Sequence, residues 1–257
     1  MELSMANKLY IKSILGACLL ATCCGSQATE LKRVYGKISL GYGDWNKGFV
    51  NVDRGEVWKA VADFGAVFDR GEFASFYEMN VLNHPVEGRN HVTQFLGHYR
   101  PIEGYDFTLM TKLYMSMENK FGDELNMLYG IGYLGLVEKS WFIKPYLAVH
   151  NLSNDYTSKT YGQATGFNGY VAGWVASYNF DMFNESFAIS NWNEVEFDRN
   201  DAYAEQQGGH TGLNGAVTFT WKFMPRWTAS VSYRYFNNKL GYDGYGDRMN
   251  YLIGFSF

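Results

Sequence analysis

The segment with the most unusual chemistry runs from Asn191 to Asp201 and reads NWNEVEFDRND. At a period of two residues, one face of an extended strand there presents an indole ring and three carboxylates, namely Trp192, Glu194, Glu196 and Asp198. Same-face carboxylates repel one another unless basic side chains or a cation lie opposite. Lys222 and Arg234, on segments that follow, could supply that charge, which predicts a ladder of ion pairs. A divalent-cation site is the alternative, although the spacing specifies none.

Charged and aromatic residues recur with the same parity in other extended segments. The candidates for binding a solute on this face are Lys59, Asp63, Phe76, Glu78, Arg100, Lys112, Tyr114, Tyr146, Trp192, Glu194, Glu196, Lys222 and Arg234. Aromatic faces stack on flat rings, and polar side chains bond ring edges and ribose hydroxyls, so the set could bind a flat polar solute. Alternatively, the charges pair with one another and fill a closed interior. Both signs are present, so strong selectivity for ions of one charge is not indicated.

The five histidines are the side chains best suited to general acid–base catalysis near neutral pH. They are His84, His91, His98, His150 and His210. None lies in a G-x-S-x-G context, and no H-E-x-x-H motif occurs. The nearest polar cluster, His150 to Asn154, is a short loop sequence, so a hydrolase of lipid or peptide is a remote alternative. The sequence predicts no catalytic residue, no metal site and no cofactor.

Alternation of apolar and polar residues is the dominant pattern of the chain and predicts strands. In 227–239, apolar residues at odd positions oppose Thr228, Ser230, Ser232 and Arg234. We predict twelve strands, at 33–42, 56–68, 73–82, 91–100, 106–117, 124–135, 141–151, 168–180, 187–198, 210–223, 227–239 and 249–257. A transmembrane antiparallel up-and-down β-barrel has this signature, with one face toward lipid and the other toward a polar interior. Because a Lys or Arg facing mid-membrane lipid costs about 2–4 kcal/mol, charges within strands should point inward.

The links between these strands alternate in length. Short links are predicted at Asp69–Glu72, Ile102–Tyr105, Val137–Ser140, Asp181–Ser186 and Met224–Arg226. Longer polar links are predicted at Gly43–Gly55, Asn83–Asn90, Asn119–Asp123, Leu152–Phe167, Arg199–Gly209 and Leu240–Arg248. Short periplasmic turns and longer external loops are typical of outer-membrane barrels. An even strand number also places both ends of the chain on the periplasmic side.

The two ends of the sequence carry export signals. Lys8 and Lys12 precede an apolar run, and small residues lead to a cut after Ala28, which predicts a signal peptide over 1–28 and a barrel over 29–257. Lipidation at Cys18 or Cys23 is a minor alternative. The last residues alternate up to Phe257, as in C-terminal strands that the barrel-insertion machinery recognises.

Composition excludes several classes of protein. All three cysteines lie before residue 29, so the mature chain would have no disulfide and no thiolate metal site. The net charge is −4, and removing a leader with two lysines and one glutamate makes it more negative. Nucleic acid is therefore not an expected partner. The expected surroundings are outer-membrane lipid and lipopolysaccharide.

The chain resembles the nucleoside-specific, Tsx-like channel family. The resemblance rests on the leader, the hairpin Trp58–Phe68 and Phe73–Leu82 joined by Asp69-Arg70-Gly71-Glu72, the strand order and the ending Tyr251–Phe257. It implies a twelve-stranded outer-membrane pore for passive uptake of small polar solutes such as nucleosides. The alternative is a non-conducting surface barrel that serves in adhesion or as a phage receptor.

Overall fold

The computed structural model describes residues 30–45, 57–83, 89–118 and 122–257. Within them the chain forms twelve strands: β1 (Leu31–Trp45), β2 (Val57–Phe68), β3 (Gly71–Asn80), β4 (Asn90–Tyr99), β5 (Phe107–Glu118), β6 (Gly122–Tyr133), β7 (Trp141–Ser158), β8 (Gly162–Met182), β9 (Glu185–Phe197), β10 (Gly212–Met224), β11 (Trp227–Asn237) and β12 (Tyr245–Ser256). The predicted signal peptide lies outside these residues. Most of each external link predicted at 43–55, 83–90 and 119–123 also lies outside them.

Each strand pairs antiparallel with its neighbours in sequence, and β1 pairs with β12 to close the barrel. The twelve-stranded up-and-down barrel predicted from the alternation is therefore confirmed. Closure leaves no sheet edge, which is the condition for crossing a membrane with strands.

The two faces of the wall differ in polarity residue by residue. On β1, Ile38 and Leu40 are 53% and 60% exposed on the outer face, whereas Ser39 between them is 3% exposed and points inward. On β12, Tyr251 and Ile253 are exposed on the outside, and Asn250 is buried inside. An apolar outside around a polar inside suits a lipid bilayer around an aqueous interior.

Lipid-facing aromatic rings gather at the periplasmic end. Tyr178 stacks on Phe180, Phe180 on Phe187 and Phe187 on Phe219, with ring centroids 5.7, 5.6 and 5.5 Å apart. These residues follow one another across β8, β9 and β10. Such a girdle is expected where the hydrocarbon meets the polar interface.

The last residue helps to close the seam between β1 and β12. The Phe257 amide donates to the Gly36 carbonyl over 3.1 Å. A Cβ at position 36 would overlap the Phe257 ring, so glycine there leaves the space that the terminal ring fills. The C-terminal aromatic residue therefore packs on the first strand.

The external side differs from the sequence prediction in two places. The link predicted at Leu152–Phe167 is mostly strand, because β7 continues to Ser158 and β8 begins at Gly162. This part of the hairpin lies outside the membrane, where polar residues can occupy both faces of a strand, so the sequence shows no regular alternation there. The link predicted at Arg199–Gly209 contains helix α1 (Asp201–Gln207), which Asn200 caps by accepting from the Tyr203 amide. Gly208 ends it in the left-handed conformation. No helix in the described ranges is long and apolar enough to span a membrane.

Candidate functional site

Two ion pairs cross the barrel interior rather than joining neighbouring strands. Lys112 on β5 binds Glu194 on β9, and Tyr146 on β7 donates a hydrogen bond to the same carboxylate. Lys144 on β7 contacts both oxygens of Glu72 on β3 at 2.7 Å. Each pair spans three intervening strands, so each forms a chord inside the barrel.

The space between these chords and the wall is filled by an apolar cluster. Met110, Leu128, Tyr146, Ala148 and Val171, from β5 to β8, are all buried against one another. The hydroxyl end of the Tyr146 ring lies over Gly173, where a Cβ would approach its Cζ to 2.6 Å. The β4–β8 side of the interior is therefore packed. The polar residues that could line a passage lie on the opposite wall, from β9 through β12 and β1 to β3, where Trp45 and Phe236 form a smaller buried cluster.

A second ion-pair cluster closes the external end over β9. Arg199 is 2% exposed and donates from Nε to Glu196 over 2.9 Å, and Lys239 Nζ lies 2.5 Å from the other oxygen of that carboxylate. Arg199 also donates to the carbonyls of Gly209 and Asn238. The buried guanidinium thus joins β9 to two external loops, and we call Glu196, Arg199 and Lys239 the cap cluster.

Helix α1 is fixed to the cap cluster through Tyr203. The Tyr203 hydroxyl donates to Glu124 over 3.2 Å and accepts from Lys239 over 2.8 Å. Burial, together with the Glu124 charge, holds the pKa of Tyr203 well above its usual value, so the phenol keeps the proton it donates. Its ring packs with Leu152 and Ala164, which seats the helix over β7 and β8.

The wall opposite the packed side is lined by small polar residues. Thr218 and Thr220 on β10 face Ser232 and Ser230 on β11, with hydroxyl oxygens 2.8 and 3.0 Å apart. At the periplasmic end of the same wall, Lys37 and Asp63 form a 3.5 Å ion pair whose side chains are more than a third exposed although they point inward. Water therefore reaches the interior from the periplasmic side.

Basic side chains concentrate on the same wall, closer to the external end of the barrel. Lys59 on β2 is 3% exposed and donates to Glu78 on β3 over 3.1 Å. Arg234 on β11 lies directly opposite Arg248 on β12, and Arg248 stacks over Trp45, 4.7 Å from the ring centre. Glu78 is attracted to both Lys59 and Arg248.

Two of the predicted interior rings, on β3 and β9, are only partly buried. Among the described residues, neither Phe76 nor Trp192 makes a ring contact, and both are partly exposed to the interior. The third predicted ring, Tyr114, has a cation beside it, because the Lys112 ammonium lies 5.9 Å from the centre of the Tyr114 ring.

Several sequence predictions about this set need correction. Lys222 and Arg234 do not neutralise the acidic face of β9, because Lys112, Arg199 and Lys239 do so. Lys222 is exposed near the periplasmic end, 3.4 Å from Asn179 Oδ1, and Arg100 lies in a periplasmic turn with Asp106. Asp198 is exposed instead of inward, because its positive φ of 60° ends the strand alternation.

Other interior residues were missed by the sequence analysis. The sequence predicts Glu72 and Arg248 to lie in links, each directly before a strand. Extending the alternation of that strand toward its N-terminal end would place both side chains in the barrel interior. Arg199 and Lys239 carry no such signal, since each follows an irregular residue, Asp198 or Asn238, with positive φ. Within the described ranges, no group of histidines, cysteines and carboxylates could hold a metal ion.

Comparisons with known proteins agree with this architecture. A family model described as nucleoside-specific channel-forming protein, Tsx, matches residues 89–257. Among solved structures, the NanC porin is 11% identical, with a TM-score of 0.51, and the match covers 85% of this chain and 98% of that one. The KdgM porin is 10% identical over 86% and 99% of the two chains, with a TM-score of 0.47. The NanC match supports a shared barrel fold.

Proposed function

Because the chain belongs to the family of nucleoside-specific channel-forming proteins, Tsx, we propose that the channel it forms admits nucleosides. The protein is a bacterial outer-membrane channel for small solutes, surrounded by lipid and lipopolysaccharide. Passage along the β9–β3 wall is passive, and the proposed role includes no catalytic step.

The observation that supports nucleosides most directly is the pair of open rings on a hydroxyl-lined wall. Trp192 and Phe76 offer π-faces to a base, and stacking is tolerant of base identity. The hydroxyls of Thr218, Thr220 and Ser232 can exchange hydrogen bonds with a ribose in place of water. A flat, polar, uncharged solute therefore finds contacts of both kinds along one wall.

Conductance in planar bilayers tests this proposal. Purified protein should produce discrete channels whose current adenosine or uridine reduces in a saturable manner, while a hexose of similar size reduces it less. A protein that inserts as a folded barrel and yet never conducts would contradict the proposal and favour the non-conducting surface barrel instead.

Replacing Trp192 with alanine should weaken nucleoside block without abolishing conductance. Loss of one base-stacking ring costs about 1–3 kcal/mol, so the blocking concentration should rise at least severalfold. The matched control is Trp221→Ala, which removes an indole from the outer face of the adjacent strand. Equal nucleoside block in wild type and Trp192→Ala would exclude this ring as a contact.

We also propose that residues 1–28 are removed on export and that the C-terminal strand directs insertion into the outer membrane. The support is the apolar leader and the alternating ending that terminates at Phe257. The purified outer-membrane protein should begin at Thr29 by mass spectrometry. A mature protein that retains the leader, or that begins at a lipidated Cys18 or Cys23, would contradict this cut.

A further inference from the structure

A buried histidine near the external end of the barrel is bonded on both sides to asparagine side chains. His150 on β7 is 1% exposed, and its Nε2 lies 2.8 Å from Asn126 Oδ1 on β6. Its Nδ1 lies 3.1 Å from Asn168 Nδ2 on β8. The pairing of β7 and β8 shifts here, so that Asn168 and Gly169 both lie opposite His150 in a β-bulge. Bulges redirect side chains and are frequent beside functional sites.

The partners of the two amides fix the protonation state of the ring. Asn126 Nδ2 donates to a Glu124 carboxylate oxygen over 2.6 Å, so its carbonyl oxygen faces the ring and accepts from Nε2. Asn168 Oδ1 accepts from the Asn200 backbone amide over 3.0 Å, so its amino group faces the ring and donates to Nδ1. His150 is therefore neutral, with its proton on Nε2.

This chain of hydrogen bonds ends at helix α1, because Asn200 is the N-cap of the helix. Asn200 Oδ1 accepts from the Tyr203 backbone amide, and the Asn200 backbone amide is bound by Asn168. The Tyr203 hydroxyl bonds to β6 and to the loop between β11 and β12, which lie on opposite sides of the barrel. Helix α1 therefore lies across part of the external mouth, and its first turn is held there through His150.

A proton on Nδ1 of His150 would break this chain. The ring would then present an N–H to the amino group of Asn168, and two facing donors form no hydrogen bond. Turning the Asn168 amide over would satisfy the ring, but the Asn200 amide would then lose its acceptor. Protonation of the ring and the bond that holds the N-cap of helix α1 therefore exclude each other.

The charges around the ring nearly cancel. Burial disfavours an imidazolium at this position. The two glutamates of β9 attract a charged ring, and the two nearby cations repel it. The phenol on helix α1 keeps its proton and adds no charge. The titratable groups that face the ring or its partners are Glu124 on β6, Glu194 and Glu196 on β9, Arg199 before α1, Tyr203 on α1 and Lys239 after β11.

We propose that His150 and Asn168 form an acid-sensitive latch, which holds helix α1 across the external mouth near neutral pH and releases it when the ring is protonated. The released helix uncovers the mouth, so the channel conducts more in acid. This inference rests on the channel of the proposed function, whichever solute passes. An imidazole in water takes up a proton below about pH 6.5, so acid below that value favours release. Each further pH unit raises the ratio of released to latched protein at most about tenfold, because one proton is bound.

A second histidine lies beside helix α1, and its protonation should have the opposite effect. His210 Nδ1 donates to the Arg199 carbonyl over 2.8 Å, and its Nε2 lies 3.7 Å from Asp201 Oδ1 on the helix. A proton on Nε2 would strengthen the contact with Asp201 and hold the helix in place. Because the His210 side chain is 61% exposed, this effect should be small.

Hydrogen exchange and single-channel current test the latch at about pH 7.5 and about pH 5, which lie on either side of the titration of an imidazole in water. In the wild type, protection of the amides of residues 200–207, corrected for the intrinsic effect of pH on exchange, should fall in acid by up to about thirtyfold, the limit for one proton. Amides in the middle of β10 and β11 should keep their protection. The current should be larger in acid than near neutral pH.

His150→Gln separates the proton from the hydrogen bonds. Glutamine offers one amino donor and one carbonyl acceptor, so it can keep both contacts without titrating. Protection and current of this variant should be equal at the two pH values. His210→Gln is the matched control, and it should show the full acid response of the wild type.

Asn168→Asp should reverse the direction of the response. A carboxylate still accepts from the Asn200 amide, and it also accepts from a protonated His150 ring, so the helix should stay protected in acid. Near neutral pH the carboxylate would face the lone pair of the neutral ring, and protection should be lower. A merely structural role of Asn168 would not invert the pH dependence. Single-channel current shows that each variant has folded.

Four results, each on its own, would overturn the latch. They are unchanged protection in the wild type, unchanged current in the wild type, a full acid response in His150→Gln, and a loss of protection in acid in Asn168→Asp. Each can occur in a channel that nucleosides block, so failure of the latch is distinguishable from failure of the proposed function. A channel that shows the acid response but that no nucleoside blocks would contradict the proposed solute and support the latch.

Discussion

Replacing Glu196 with glutamine should destabilise the external end of the barrel by about 3–5 kcal/mol, the usual cost of removing one partner from a buried ion pair. Glu196 is 5% exposed and lies between Arg199 and Lys239, both of which are also buried. A neutral amide would leave two cations facing each other without a carboxylate. Tyr203 depends on Lys239 for a hydrogen bond, so helix α1 should loosen in the same variant.

Urea titration of the protein refolded in lipid vesicles, followed by tryptophan fluorescence, measures the free energy of unfolding. Hydrogen exchange should show faster exchange at residues 199–211 and little change at the periplasmic turns. Asp201→Asn is the matched control, because that carboxylate is 62% exposed and its 3.7 Å contact with His210 is a surface pair worth at most about 1 kcal/mol. If Glu196→Gln unfolds with the wild-type midpoint, the cap cluster does not stabilise this end.

Strand number, strand direction and the face of each residue followed from the sequence wherever alternation is regular. Lipid on one side and water on the other impose a period of two, so the parity of Lys59, Glu78 and Lys112 could be read without a structure. Pairing inside the barrel could not be read in this way. Glu194 meets Lys112 from four strands away, beside a Tyr146 ring for which Gly173 leaves space, and no local pattern encodes that approach.

The external end was the least predictable part for a related reason. Outside the membrane, a strand can have water on both faces, so the polar residues of 152–158 gave no alternation that marked β7 as continuing. Positive φ angles at Asp198 and Asn238 interrupt the alternation of inward and outward side chains. As a result, Asp198 points outward, and Arg199 and Lys239 are buried. The residues that close this end therefore depend on turn geometry instead of periodicity.

The chord between Lys112 and Glu194 should control how much of the barrel interior is packed. Glu194→Gln keeps the side-chain volume and the bond from Tyr146 but removes the charge that neutralises Lys112. Because Lys112 is 7% exposed, an uncompensated ammonium there should cost about 3–5 kcal/mol, or the side chain should turn toward the passage. In the second case the added positive charge should shift the reversal potential in a KCl gradient toward chloride, relative to the wild type.

A double-mutant cycle separates loss of the ion pair from loss of packing. Lys112→Met combined with Glu194→Gln removes both charges while filling the same space, so its free energy of unfolding should return to within about 1 kcal/mol of the wild type, and its selectivity should return as well. Glu103→Gln is the control, since that carboxylate is 88% exposed in a periplasmic turn, where it pairs with Arg70. Additive effects of the two single substitutions would show that Lys112 and Glu194 do not interact across the barrel, and the packed half would then owe its order to the apolar cluster and to the Lys144–Glu72 pair.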